Sequence, residues 1–316
     1  MYIVSIGRFL NKIFINIFQI TAAFWAICMV IFLQTVPDNE PKWQASNGLI
    51  GVSPGVGLRP KNSEDLIDSA IIMFNTESQA ARTDKQKLTD KVASYQEWTA
   101  RITDFLKAYK DETKYKHRVD CSKKDKKVTS THGCKFDVAP LENHCGGKGF
   151  GYDKGSPCVF LKLNRIFGLE NSPYNVSDLP QDLEMPDDLL NHIKAQSDKD
   201  QVWVNCQGKY PADKEMLAEK DAITYFPESK GFPSKYFPYQ NQEDYLSPLV
   251  AVKFTPSWKK KEYGVGQLIH IECRAWAENI GYNRRDKIGI SVFELHIMDQ
   301  DATDKYNGKQ VEEITD

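Results

Sequence analysis

Gln267–Glu278 reads QLIHIECRAWAE. Ile269, Ile271, Cys273 and Ala275 recur at every second position, and a period of two puts them on one face of a β-strand. His270, Glu272 and Arg274 occupy the other face, so the cysteine lies on the apolar side. Gln201–Cys206 (QVWVNC) behaves alike, with Val202, Val204 and Cys206 sharing a face. Two strands that each bury a cysteine could be joined through the core. A Cys206–Cys273 bridge between two sheets would be the arrangement of an immunoglobulin-like sandwich. The expected fold class is thus mainly β, in the manner of an immunoglobulin-like sandwich.

Other segments fit that class. Cys158–Asn164 (CVFLKLN), Leu249–Thr255 (LVAVKFT) and Ile290–Met298 are rich in β-branched and aromatic residues and read as strands. Asp65–Phe74 is a strand or a short helix. Asp84 to about Lys110 is helical. Leu88, Val92, Tyr95, Ile102, Phe105, Leu106 and Tyr109 recur at steps of three, four and seven, with Thr83 as candidate N-cap. A shorter helix is expected from Pro186, with Asp187 and Asp188 in its first turn and Lys194 near its end. The basic run after Lys110, up to Lys127, is expected as a surface loop held by Cys121.

The N-terminus carries a different signal. Ile13–Val36, IFINIFQITAAFWAICMVIFLQTV, holds no charge in 24 residues. At about 1.5 Å per residue such a helix spans a ~30 Å hydrocarbon core. Arg8 and Lys12 precede it; Asp38 and Glu40 follow. The positive-inside rule then places residues 1–12 in the cytoplasm and the remainder outside. The apolar run exceeds the ~7–15 residues of a signal-peptide core and no small-x-small site follows, so it is expected to stay as an anchor. Its length suits the thicker plasma membrane. The expected organisation is a cytoplasmic tail (1–12), a transmembrane helix (13–36), a Gly- and Pro-rich extracellular stalk (37–62), a disulfide-bonded ectodomain (63–298) and a charged extension (299–316), in a single-pass type II membrane protein.

Composition excludes several classes of function. The formal net charge is -2, which leaves no basic excess to neutralise nucleic-acid phosphates. Cys28 lies in the apolar run. The other six cysteines, Cys121, Cys134, Cys145, Cys158, Cys206 and Cys273, fall in the exterior and read as three disulfides, with 15 connectivities open. No C-x-x-C pair suggests zinc, and no cofactor or metal site is expected. The glycine-rich run Cys145–Cys158, CGGKGFGYDKGSPC, invites a phosphate-cradle reading. Its glycine spacing matches neither G-x-G-x-x-G nor the P-loop, and no Ser or Thr follows a Gly-Lys pair. Neither G-x-S-x-G nor H-E-x-x-H occurs, so no catalytic residue is assigned. Asp198-Lys199-Asp200 matches the D-x-D metal motif of many type II Golgi glycosyltransferases. It precedes a strand rather than following one, and the alternating β and α pattern of such a sheet is absent. Asn175-Val176-Ser177 is a candidate glycosylation site.

Three segments carry a family resemblance: GYDKGSPCVFLKLNRIFG (Gly151–Gly168), GFPSKYFPYQNQEDYLSPLVAVKFT (Gly231–Thr255) and IECRAWAENIGYNRRDKIG (Ile271–Gly289). With the six cysteines, the single span and the SPGVGLRP stalk, they resemble the β-subunit of the sodium/potassium pump and its proton/potassium relatives. The resemblance runs from about Phe14 to Met298. It implies a non-catalytic companion of a P-type ATPase α-subunit, one that assists that subunit's folding, delivery and potassium handling. ATP chemistry then belongs to the α-subunit. It also implies an ectodomain that is an immunoglobulin-like sandwich with long insertions and at least one helix, and sequential pairing, Cys121–Cys134, Cys145–Cys158 and Cys206–Cys273, and it leaves a place for a small single-span regulatory subunit. The other reading of the exterior is an adhesion or receptor ectodomain that works without a pump.

A membrane partner needs a face to pack on. Asn16, Gln19, Ala23 and Ala26 follow at steps of three and four and form a small, polar stripe where another helix can approach; the rest of the span meets membrane lipid. Outside, Tyr236, Phe237, Tyr239 and Tyr245 crowd one Pro-punctuated stretch. Aromatics with hydroxyls suit an interface, so these four are expected as partner contacts, with about half of them serving the core instead.

Overall fold

The computed structural model describes residues 2–37, 40–45, 51–61, 70–76, 92–113, 117–121, 128–175, 177, 179–180, 183–256 and 268–298; for residues 2–12 and 70 it describes the backbone alone. The chain divides into two compact units, Met1–Ile50 and Gly51–Asp316.

The first unit is dominated by one helix, α1, Tyr2–Thr35. Residues 2–12, expected as part of a separate tail, continue this helix. Ile13–Thr35, 23 residues with mean hydropathy 2.0, is long and apolar enough to cross a membrane. From Ile13 its side chains are exposed almost throughout, including Phe14, Phe18, Phe24 and Trp25. Helices of this kind bury their apolar surface in lipid. The hydroxyls of Thr21 and Thr35 donate back to the carbonyls of Ile17 and Phe32, both at 2.9 Å, so neither faces hydrocarbon unpaired. Trp43 stacks on Phe32 just past the helix end.

The second unit is built on two sheets. A four-stranded sheet has the order β1 (Val56–Arg59), β3 (Cys158–Leu163), β7 (Val250–Phe254), β5 (Ile223–Phe226). A five-stranded sheet has the order β2 (Ala70–Asn75), β9 (Ile290–Met298), β8 (Leu268–Trp276), β4 (Gln201–Gly208), β6 (Gly231–Pro233). All pairs are antiparallel except β2–β9, which is parallel.

Alternation sets the shared core. Leu58, Leu161, Val250, Val252 and Phe254 line one sheet; Ile72, Phe74, Phe293, Leu295, Ile271 and Val204 line the other, and all belong to one buried cluster. The sheets meet where Phe254 packs edge-on to Phe293, centroids 5.8 Å apart. They meet again at the buried Tyr225 hydroxyl, which accepts the Cys206 backbone N–H at 2.8 Å. That bond satisfies an N–H beyond the end of β6, where no neighbouring strand is left to accept it.

Two expectations need correction here. Cys206 and Cys273 are bonded, but within one sheet: they stand directly opposite on β4 and β8, with Cα atoms 4.0 Å apart. The alternation argument identified the shared apolar face, and adjacent strands present that face to one another as well as opposing sheets do. The stalk boundary also moves. Val56–Arg59, within the expected stalk, is an edge strand whose Val56 and Leu58 are buried.

Helices cover the sheets. α2, Tyr95–Lys110, buries Trp98, Ile102, Leu106 and Tyr109, one stripe at steps of three and four. Its side chains tie it down: Trp98 Nε1 donates to the Met73 carbonyl at 2.8 Å and the Tyr109 hydroxyl to the Ser247 carbonyl at 2.8 Å. The helix begins after Ser94, later than the periodicity suggested; Thr83 and residues 84–91 lie outside the described residues. α3, Ala139–His144, lies by β5 and β7. α4, Asp187–Ala195, follows Pro186 and buries Leu189 and Ile193 against Trp203 and Trp276, on the face of β4 and β8 away from the main core. α5, Pro211–Met216, packs on the same two strands.

The Cys145–Cys158 run is a stapled turn, closed by its own disulfide. Phe150 packs on Phe160 and Tyr152 on Phe74, so the loop plugs the core. Gly151 has φ +74, and a Cβ there would lie 2.0 Å from the Ser156 carbonyl oxygen. That site accepts only glycine.

Two substitutions check this account. Phe254→Ala removes a fully buried ring from the seam between the sheets and should cost about 3–5 kcal/mol. Gly151→Ala, though smaller, should block closure of the turn and leave free thiols at Cys145 and Cys158. Thermal unfolding and thiol labelling of the detergent-solubilised chain read both outcomes.

Candidate functional site

The residues expected to meet a partner fall into two sets. Asn16, Gln19, Ala23 and Ala26 share one side of α1 and are exposed along it. The second set divides. Tyr236, Phe237 and Tyr245 are 7%, 9% and 5% exposed, so in the chain alone they belong to its interior. Tyr236 packs edge-on to Phe136, and its hydroxyl donates to the Lys135 carbonyl at 3.4 Å. Burial, with Asp120 and Asp137 nearby, pushes that phenol up to about 12. The reason for this inward placement is energetic: each ring sheltered from water is worth roughly 1.5–3 kcal/mol. Tyr239 stays half-exposed. It packs on Phe167 and Tyr245, each at a centroid distance of 5.0 Å, and its hydroxyl donates to Asn241 Oδ1 at 3.2 Å.

Arg165 crosses this aromatic group. Its guanidinium lies 5.3 Å from the Tyr239 ring centroid and 5.5 Å from that of Tyr245, and it donates to the Tyr245 carbonyl at 2.8 Å. Cation and ring faces attract through the ring quadrupole. Arg165, with Arg59 and Lys162, escaped the sequence reading because the three come from β1, β3 and the loop after it. The one available signal was Lys162, a charge interrupting the apolar run CVFLKL.

The remaining motifs resolve into local structure. Asn175 is exposed, and its Oδ1 accepts the Ser177 backbone N–H at 3.2 Å, an Asx-turn that fixes the sequon. Asp198 Oδ1 likewise accepts the Asp200 N–H at 3.0 Å, so the D-x-D triplet is a turn leading into β4. Among the described residues no group of three or more His, Cys, Asp or Glu is placed to hold a metal ion. Cys121–Cys134 is the third disulfide.

Taken together, these features describe a protein with one N-terminal helix long and apolar enough to cross a membrane and a second unit that is a disulfide-stapled, β-rich body. The family model described as "Sodium / potassium ATPase beta chain" matches residues 10–293. The chain is 37% identical to the sodium/potassium-transporting ATPase subunit beta-1 of Drosophila melanogaster, over 90% of this chain and 84% of that protein. It is 35% identical to subunit beta-2 of the same organism, over 90% of this chain and 83% of the relative. The probable subunit beta-3 of Caenorhabditis briggsae is 29% identical, over 91% and 79%. The chain therefore belongs to the sodium/potassium ATPase β-chain family.

The expectation that Asn175, exposed and closing an Asx-turn, carries a glycan has a direct test. In eukaryotic cells, Ser177→Ala should abolish a glycosidase-sensitive mobility shift of the full chain and Ser177→Thr should keep it. A shift that survives Ser177→Ala would place the glycan elsewhere.

Proposed function

We propose that this chain is the non-catalytic β-subunit of a P-type sodium/potassium-transporting ATPase. The observation that carries the reading is the family match over residues 10–293, joined by relatives named as β-subunits at 35–37% identity over nine-tenths of the chain. The ATPase chemistry belongs to the α-subunit. This chain serves that subunit's folding, delivery to the plasma membrane and potassium handling. The adhesion reading rests on the sandwich alone and is not favoured.

The physical role follows from the two units. α1 is a span with one small, polar stripe. Asn16 and Gln19 gain about 1 kcal/mol each from hydrogen bonds to another helix in hydrocarbon, and Ala23 and Ala26 let the backbones approach. Arg8 and Lys12 support an N-terminus held in the cytoplasm, which makes the second unit an ectodomain. Three disulfides suit that oxidising side. Two sheets facing each other across one core support a sandwich of immunoglobulin type, enlarged by α2 and the stapled loops.

Affinity purification of the tagged full chain, co-expressed with a sodium-pump α-subunit, tests the reading. The α-subunit should co-purify in near-equal amount. Replacing Asn16 and Gln19 together by Leu should reduce the recovered α-subunit several-fold, while Phe18→Leu, on the opposite side of α1, should not. No α-subunit with the unmodified chain would overturn the assignment.

A further inference from the structure

Four cations gather at the edge of the four-stranded sheet, on the face opposite to Leu58 and Leu161. Arg59 is the last residue of β1 and Lys61 follows two residues later; Lys162 lies on β3 and Arg165 just beyond it. The register brings them together. Gly57 stands opposite Lys162, and Arg59 two places further along β1 shares the same face. Gly57 clears the way for the lysine stem: a Cβ at Gly57 would lie 3.2 Å from Lys162 Cγ and 3.4 Å from Cε.

Neutral groups steady these cations. The Arg59 guanidinium lies 5.5 Å from the Phe105 ring centroid and donates to the Leu58 carbonyl at 2.7 Å. Arg165 rests on Tyr239 and Tyr245 and donates to a backbone carbonyl. Tyr109 of α2 completes the surroundings, its phenol raised by burial. No described carboxylate makes an ion pair with any of the four. Lys162 is half-buried, and burial together with Arg59, Arg165 and Lys61 brings its amine down to about 8. Like charges held this close cost the fold stability, and an arriving anion relieves that cost.

We infer that Arg59, Lys61, Lys162 and Arg165 form a docking site for carboxylate side chains of the partner polypeptide. This rests on the subunit reading above and names the chemistry of one contact. A polypeptide fits better than a lipid surface. Polybasic lipid-binding segments are exposed and flexible, whereas here one cation is half-buried in a strand and two lie against rings. The neighbouring half-exposed Phe167 and Tyr239 add the aromatic surface typical of protein interfaces. Arginine's planar fork suits carboxylates in particular.

The test uses the full chain co-expressed with the sodium-pump α-subunit. Lys61 and Arg165 are exposed, so Lys61→Glu/Arg165→Glu should fold. It should recover at least about five-fold less α-subunit than the unmodified chain, and the loss should shrink in about 0.5 M salt. Lys194→Glu/Lys220→Glu, exposed charges on α4 and just before β5, the strand at the opposite edge of the sheet from β1, should recover the normal amount. Equal recovery by both double variants would overturn the inference and leave the subunit reading standing. No recovery by the unmodified chain would remove both. Loss of binding to phosphatidylserine vesicles with α-subunit recovery intact would assign the site to lipid and refute a polypeptide occupant.

A partner-free measurement stands beside it. A lysine with a lowered pKa binds its proton less well in the fold than in the unfolded chain, so its cost is full below about pH 8 and fades toward its ordinary value near 10.4. Lys162→Met should raise the melting temperature of the solubilised chain by about 2 °C or more at pH 7, with a smaller gain at pH 9.5. A lower melting temperature for the variant at pH 7 would mean that Lys162 already has its counter-charge, and the site would be filled from within.

Discussion

From Gln201 to Cys206, strand β4 has no solvent face. Val202, Val204 and Cys206 look into the main core, while Trp203 lies in a second cluster with Trp276, Leu189 and Ile193. Covering both sides of this strand and of β8 is the constraint from which much of the second unit follows. α4 is placed to roof the Trp203 side. The four-stranded sheet must close the other side, and it does so through Phe254 and Tyr225. Even the Cys206–Cys273 bridge answers to it: a sulfur pair between neighbouring strands occupies core volume on one face and leaves the other free for packing.

Much of this was legible in the chain. The strands at 158, 201, 250, 268 and 290 announced themselves by β-branched and aromatic residues, and α2 by its stripe. What escaped was short or set by distant contacts. β1 is four residues rich in glycine context, and it is a strand because Leu161 and Leu163 await it on β3. β6 is three residues including Pro233, which a central strand would reject and an edge tolerates. The disulfide partners were indicated by facing direction, but period-two patterning cannot tell a neighbour in the same sheet from one across the core.

The residues expected to meet a partner were legible to different degrees for a physical reason. In lipid a polar side chain is expensive, so Asn16 and Gln19 stand out against their surroundings. In water an aromatic residue has two good homes, core and interface, and composition does not separate them. Tyr236, Phe237 and Tyr245 went inside, and Tyr239 kept one foot at the surface. The cation cluster was invisible for a third reason: Arg59 and Lys162 are remote in the chain and become neighbours only through strand register.

The parallel pair of β2 and β9 has a consequence for the order of events during biosynthesis. Ala70 lies opposite Phe293, so an early strand of the second unit finds its neighbour only when the last one has been made. While ribosomes are still at work, β2 keeps an unsatisfied hydrogen-bonding edge and its Ile72 and Phe74 lack their cover. Contacts that span nearly a whole domain form slowly and leave sticky intermediates exposed. The domain thus completes its sheet only once translation has reached β9. Until then the nascent second unit exposes apolar side chains on β2 that only a strand more than 200 residues further along can cover.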